Sequence, residues 1–133
     1  MSEALHLRVV TPLRVVVDAA VDAVTVPGAL GALGILPGHA PLLASLAIGV
    51  LSYRVDSHEH RLAVMKGFVE VRGNTVTVLA DRAELPGEID ALEAAKAKQA
   101  AEDAMRVVTG EAQAEARETI EAATARLAVA AGS

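Results

Sequence analysis

The sequence predicts an α+β protein whose strands and helices are segregated along the chain rather than alternating. Two observations carry this. All five prolines and eight of the ten glycines fall in residues 1–87, a segment rich in Val and Leu. Proline and glycine punctuation between β-branched runs reads as strands joined by turns. Residues 88–133 hold no proline, only Gly110 and Gly132 among the glycines, and an excess of alanine with Glu and Lys; that is the composition of helix. The reading is therefore two domains, an all-β sandwich over 1–87 and an antiparallel helical hairpin over 88–133.

Leu5, Leu7 and Val9 alternate with His6 and Arg8, a strand with one buried face. A second strand follows Pro12 over 13–17, and a third runs over 21–26 to Pro27-Gly28. Strands at 50–55 and 61–65 flank the polar tip Asp56-Ser-His-Glu-His60, and strands at 68–72 and 75–79 flank Gly73-Asn74, so both pairs read as hairpins. Many short strands with turn signals between them suggest a sandwich or barrel. The helices are expected over 88–108 and 111–130, with Gly110 of the Thr109-Gly110 break suited to the end of the first. So short a link makes them antiparallel.

Each helix carries a seam at heptad spacing: Ala94, Ala97, Ala101, Ala104 and Val108 on the first, and Ala116, Ile120, Ala123, Leu127 and Ala130 on the second. A buried methyl contributes only about 0.8 kcal/mol, against about 1.5–3 kcal/mol for a whole Leu or Ile side chain. The hairpin is thus strongly helical but thinly packed. It can detach and extend while staying helical, a 20-residue helix reaching about 30 Å. The competing reading is a permanently docked pair.

Composition excludes several functions. The net charge is −5 with no basic run, so duplex binding by phosphate neutralisation is not expected. Tyr53 and Phe68 are the only aromatic residues, which leaves no platform for stacking bases. The lack of cysteine removes disulfides, thiolate metal sites and thiol nucleophiles. The longest apolar stretch, 40–51, is broken by Pro41, Ser45 and Gly49 and falls short of the roughly 20 residues of a membrane helix. Residues 1–8 carry Glu3 and no basic cluster, so no secretory leader is read there. The expectation is a chain in the cytoplasm, or at a membrane only through a partner.

Catalytic signals are missing too. His58-x-His60 with Glu59 or Asp56 has ligand chemistry, but a solvated hairpin tip is the plainer reading, as solvent exposure is for His6. No nucleophile elbow or phosphate loop occurs, and Gly28-x-x-Gly31-x-x-Gly34 is too loose for a dinucleotide fingerprint and precedes no helix. An enzyme built on His39 or on His58 and His60 would lack an acid–base partner at motif spacing. The informative stretch is Gly34-Ile-Leu-Pro-Gly-His-Ala-Pro41. Pro37-Gly38 suits the centre of a type II turn, proline setting φ and glycine accepting a positive φ. Flanked by Ile35, Leu36, Leu42 and Leu43, the turn would present His39 on a rigid, partly apolar protrusion. It reads either as a protein-contact surface or as a loop that merely closes the sandwich.

Gly34-Ile-Leu-Pro-Gly-His-Ala-Pro-Leu42, Gly67-Phe-Val-Glu-Val71 and Asn74-x-Val-Thr-Val-Leu-Ala-Asp81, in this order and spacing, closely resemble the epsilon subunits of bacterial F-type ATP synthases. The likeness covers nearly the whole chain, and the mitochondrial counterpart, called delta, shares the architecture. The resemblance implies a sandwich of about ten strands and a C-terminal helical hairpin. It implies a non-catalytic rotor subunit in the central stalk, touching the gamma subunit and the c-ring, peripheral at the cytoplasmic face of the plasma membrane. Its complex makes ATP from ADP and phosphate with a proton gradient. The contact loop would be Ile35, Leu36, Pro37, Gly38 and His39. A family carboxylate seven positions before the histidine is Ala32 here, so the ring contact would be less electrostatic.

In the family the hairpin lies on the sandwich or extends along gamma into the head of catalytic alpha and beta subunits, where it inhibits hydrolysis. Relatives meet an acidic loop of beta with basic residues. Here residues 88–133 carry nine acids against five bases, with Glu111, Glu115, Glu118 and Glu121 against Arg117 and Arg126 on the second helix. Like charges across an interface cost several kcal/mol, which implies weak inhibition. Some relatives bind ATP through Ile-Asp-x-x-Arg-Ala. The segment here is Ile89-Asp-Ala-Leu-Glu-Ala94: Asp90 matches, as do Glu84 and Arg126, but Glu93 replaces the arginine that would meet phosphate. No bound cofactor or metal is expected, and ATP as a regulatory ligand is disfavoured. The alternative to a rotor subunit is a sandwich-plus-hairpin adaptor of another complex.

Overall fold

The computed structural model describes residues 4–132. Residues 1–3, on which the expectation of no secretory leader partly rests, lie outside them. Seven strands are present among the described residues: β1 (Leu5–Val10), β2 (Val15–Val21), β3 (Ala23–Gly28), β4 (Gly31–Ile35), β5 (Leu42–Val55), β6 (His58–Arg72) and β7 (Thr75–Glu84). They form one hydrogen-bonded sheet in the order β2-β1-β7-β6-β5-β3-β4. Every pair is antiparallel except β1 with β7.

This single sheet becomes a sandwich by turning a corner. On β5 the core face passes from even positions (Leu42, Ala44, Leu46) to odd ones (Leu51, Tyr53, Val55). On β6 it passes from Leu62 and Val64 to Val69 and Val71, and on β7 from Val76, Val78 and Ala80 to Ala83. All three switches fall between the cross-strand rows Leu46–Gly67–Ala80 and Ile48–Met65–Arg82, so the register survives while the inward face changes parity. Strands that bend in this way are how one sheet closes over a core. The bend on β6 is at Lys66 and Gly67, with φ of +59° and +126°. At Gly67 a Cβ would stand 1.9 Å from the Leu79 carbonyl oxygen, so only glycine fits.

The expectation of about ten strands is therefore corrected to seven: β5, β6 and β7 are each two arms of one bent strand. Boundaries also move: β6 begins at His58 rather than Arg61, so the expected tip over 56–60 shrinks to the two-residue turn Asp56-Ser57, both at positive φ. Thr11 closes a turn in which its Oγ1 accepts from the Leu13 and Arg14 amides at 3.2 and 3.3 Å, which delays β2 to Val15. The strand β4 and the first arm of β5 lie in a stretch that had no alternation to betray them.

The chain leaves β7 through a single 3₁₀ turn, Pro86–Glu88, and enters α1 (Ala91–Met105) and α2 (Gly110–Ala131). The first helix is shorter than expected because Asp90 stops it on one side, its Oδ1 accepting the Glu93 amide at 3.0 Å. Gly110, at φ +64°, opens α2 rather than closing α1, which ends at Met105 with Arg106 as its C-cap. The alanine seams meet as read, with Ala94, Ala101, Ala116 and Ala123 buried. A second face of α2, through Ala125 and Val129, packs on Ala63 and Met65 of β6, with Ile48 and Val50 of β5 beside them. Thus Leu62, Ala63, Val64 and Met65 are buried in succession: two point into the sandwich and two lie under the helix.

Candidate functional site

The turn expected at Pro37-Gly38 is formed. Gly38 has φ +85°, and the His39 amide donates to the Leu36 carbonyl at 3.1 Å, which closes the four-residue turn. The turn is also tied from outside: the Gly38 amide donates to Asn74 Oδ1 at 2.9 Å. Asn74 belongs to the β6–β7 turn, and its own carbonyl accepts the His6 amide at 2.7 Å. Two connections and the start of β1 are thereby pinned together at one end of the sandwich. His39 Nδ1 lies 2.7 Å from the Ala40 carbonyl, which puts the proton on that nitrogen. Ile35 anchors the turn in the core, whereas Leu36 is 62% exposed.

Beside this end runs an apolar row on the outer face of the sheet. The cross-strand partners Phe68, Leu79, Val10 and Val15, with the polar Ser45 closing one end, follow one another across five strands. Phe68, Leu79 and Val15 are each about half exposed, and Leu43 more so. Neither helix covers this arm of the sheet; α2 lies on the other arm, beyond the corner. Connected exposed apolar surface of this kind marks a contact face. Sequence reasoning missed the row because its members come from five strands and touch only through register. Asn74 was in view as part of a motif, but nothing local shows that its carboxamide reaches Gly38.

The three residues read as a nucleotide set are otherwise engaged. Arg126 Nε lies 2.7 Å from Glu84 Oε1, and its Nη2 is 3.4 Å from Oε2. Both side chains are mostly buried, and the Nε–H is not aimed at its nearest oxygen, so that contact is charge pairing. Asp90 caps α1. Glu93 is exposed in the first turn of the helix, where an acid suits the positive end of the dipole. The tip histidines are not assembled for a metal: His60 stacks on Tyr53 with ring centroids 5.0 Å apart, and His58 Nδ1 lies 3.1 Å from the Asp56 carbonyl. Among the described residues no cluster of three or more His, Cys, Asp or Glu could hold a metal ion.

A family model described as the ATP synthase delta/epsilon chain β-sandwich domain matches residues 4–86. The chain belongs to that family. It is 52% identical over 97 residues to the ATP synthase epsilon chain of Citrifermentans bemidjiense, covering 73% of this chain and 70% of that one. It is 42% identical over 130 residues to the epsilon chain of Nitratidesulfovibrio vulgaris, covering 97% of each. In fold it is similar to a chain of the Euglena gracilis mitochondrial ATP synthase, with a TM-score of 0.84 at 21% identity over 96% of this chain and 81% of that one. A central-stalk and c-ring structure of the Tetrahymena thermophila enzyme gives 0.64 at 16% identity, covering 95% of this chain and 98% of that one. The family match ends where the 3₁₀ turn begins the helical part, and the residues that pin the turn, close the corner and line the apolar row all lie within it.

Proposed function

We propose that this chain is a non-catalytic rotor subunit of an F-type ATP synthase, clamped between the gamma shaft and the c-ring. Membership of the delta/epsilon family is the observation that carries the reading. The geometry supports it: a stiff sandwich offers an open apolar row to a partner, next to a turn pinned by Asn74. In this reading the residues Ile35 to His39 meet the ring, and Ala32 leaves that contact without a carboxylate. Rotation passes through the sandwich because its core is a single close-packed cluster. The subunit is peripheral at the cytoplasmic face of the membrane; no described helix is long and apolar enough to cross one. The deciding experiment is assembly: expressed with gamma and the c-ring, the chain co-purifies with both. Recovery with neither, and stable association with a different complex instead, would favour an adaptor.

The hairpin in this reading is the regulatory part, docked on the sandwich or extended along gamma toward the alpha and beta subunits. ATP is not its ligand. Glu84 neutralises Arg126, and Glu93 sets an anion where a phosphate would need a cation. Calorimetric titration of the full chain with ATP gives millimolar affinity or no heat; micromolar binding would reverse this reading.

A further inference from the structure

We infer that α2 is held on the sheet by a clasp of two ion pairs of opposite polarity, Lys66–Glu118 and Glu84–Arg126, which set where the helix docks and how readily it leaves. The inference rests on the reading of the hairpin as mobile and adds what holds and releases it. Lys66 Nζ lies 2.5 Å from Glu118 Oε2. Lys66 stands at the corner of the sheet, where its left-handed backbone bends β6, and Asp81 and Glu121 add their negative charge around it. Two turns further along α2, Arg126 meets Glu84 of β7. At the end of the helix the Arg61 guanidinium fills the space that a Cβ on Gly132 would take. A cation there suits the negative end of the helix dipole.

The apolar part of this interface specifies little. From α2 it holds Ala125 and Val129, with Ala122 at the margin. A surface of small side chains has few features to fix register. The charges do fix it. Three exposed acids of α2, Glu111, Glu115 and Glu118, lie in its first half with Arg117 as the one base among them, Glu121 stands at its middle and Arg126 in its second half, and the sheet presents Lys66 and Glu84 in the matching order. A reversed helix would turn Glu118 and Glu121 toward Glu84, and Arg126 toward Lys66, bringing like charges together. Release is easy for the same reason. When the helix leaves, every member of the clasp is solvated by water, and no charge is stranded in an apolar site. A docking face of large apolar side chains would instead expose them on every excursion.

The test uses the full-length chain, which has no cysteine to interfere with labelling. Nitroxides at Thr25→Cys and Ala114→Cys, both exposed, report the sheet-to-helix distance by pulsed electron resonance. The unsubstituted clasp gives one narrow distribution. Lys66→Glu raises the population at long distance by about threefold or more, as loss of an exposed pair does. Glu84→Gln raises it by about tenfold, because Arg126 is left mostly buried without its partner. The double exchange Lys66→Glu with Glu118→Lys restores the narrow distribution, and helix content by circular dichroism stays constant throughout. Unchanged distributions in Lys66→Glu and Glu84→Gln, or a double exchange no better docked than Lys66→Glu alone, would overturn the clasp. A hairpin that is not regulatory would show differently: its removal from the assembled complex gives not even the slight change in hydrolysis expected of a weak inhibitor, whatever the isolated chain does.

Discussion

Asn74 shows how much one polar side chain can organise. It sits in a two-residue hairpin turn and spends its carboxamide on the Gly38 amide, a bond between residues far apart in sequence but neighbours at one end of the sandwich. Replacing it with alanine leaves that N–H without its partner and costs about 1 kcal/mol of stability, the ordinary net worth of such a bond. Chemical denaturation measures the loss, and hydrogen exchange at Gly38 localises it. A variant whose Gly38 amide stays as slow as before would show that the turn holds itself. Gly67 illustrates the opposite constraint. Nothing there is bonded through a side chain; the site simply has no room for one, because the Leu79 carbonyl crosses where Cβ would be.

At the scale of elements, the corner in β5, β6 and β7 does most of the work. It turns one sheet into two layers, and it hands the outer side of the second arm to α2. The 3₁₀ turn at Pro86–Glu88 then aims the helices. It is bracketed to the rest of the sandwich by Glu88, whose Oε1 accepts from Arg14 Nη2 at 2.7 Å and from the Leu85 amide at 2.8 Å. The Arg14 hydrogen bond, with help from the Leu85 amide, holds the Glu88 carboxyl below its ordinary value of 4.5. A carboxyl whose folded pKa is lowered contributes stability that is present above its unfolded pKa and is lost as pH falls through the folded one. The bracket is therefore closed at neutral pH and opens only on acidification below the ordinary carboxylate range. The Leu85 amide shift, followed by NMR, should titrate with this carboxyl. Arg14→Ala should move its midpoint back up toward 4.5. An unmoved midpoint would mean that the pair is not formed in solution. The pair also ties Glu88, the first residue of the helical part, to the turn before β2.

The whole molecule is two bodies that share little. Its main core is a closed cluster from Leu5 to Ala83 with no helical residue in it, so the interior of the sandwich does not depend on the hairpin. The helices meet the sheet through a much smaller cluster and a few charges. That division is what a regulatory arm on a rotating base requires. The arm is acidic, however, and meets an acidic surface poorly. Deleting residues 88–133 from the assembled complex should change ATP hydrolysis only slightly, with no strong dependence on salt. Marked activation by the deletion that fades at high ionic strength would show that the arm inhibits by charge after all.

The segregated fold, the two hairpin turns, the type II turn at Pro37-Gly38 and the alanine seams were legible in the residues alone, because each is decided by local geometry: a period of two, a period near seven, a proline beside a glycine. The three motifs were enough to suggest the family. The apolar runs at Ile48–Leu51 and Leu62–Met65 also carried a signal that went unread, since strands apolar at every position are covered on both faces. What no local pattern could reveal was decided by packing. The corner keeps register across three strands while reversing which side faces in, so periodicity breaks without any break in pairing. The outer apolar row, the reach of Asn74 to Gly38 and the pairing of Glu84 with Arg126 join residues distant in sequence. Such contacts exist only once the sheet has folded over, because only then is the space between them closed.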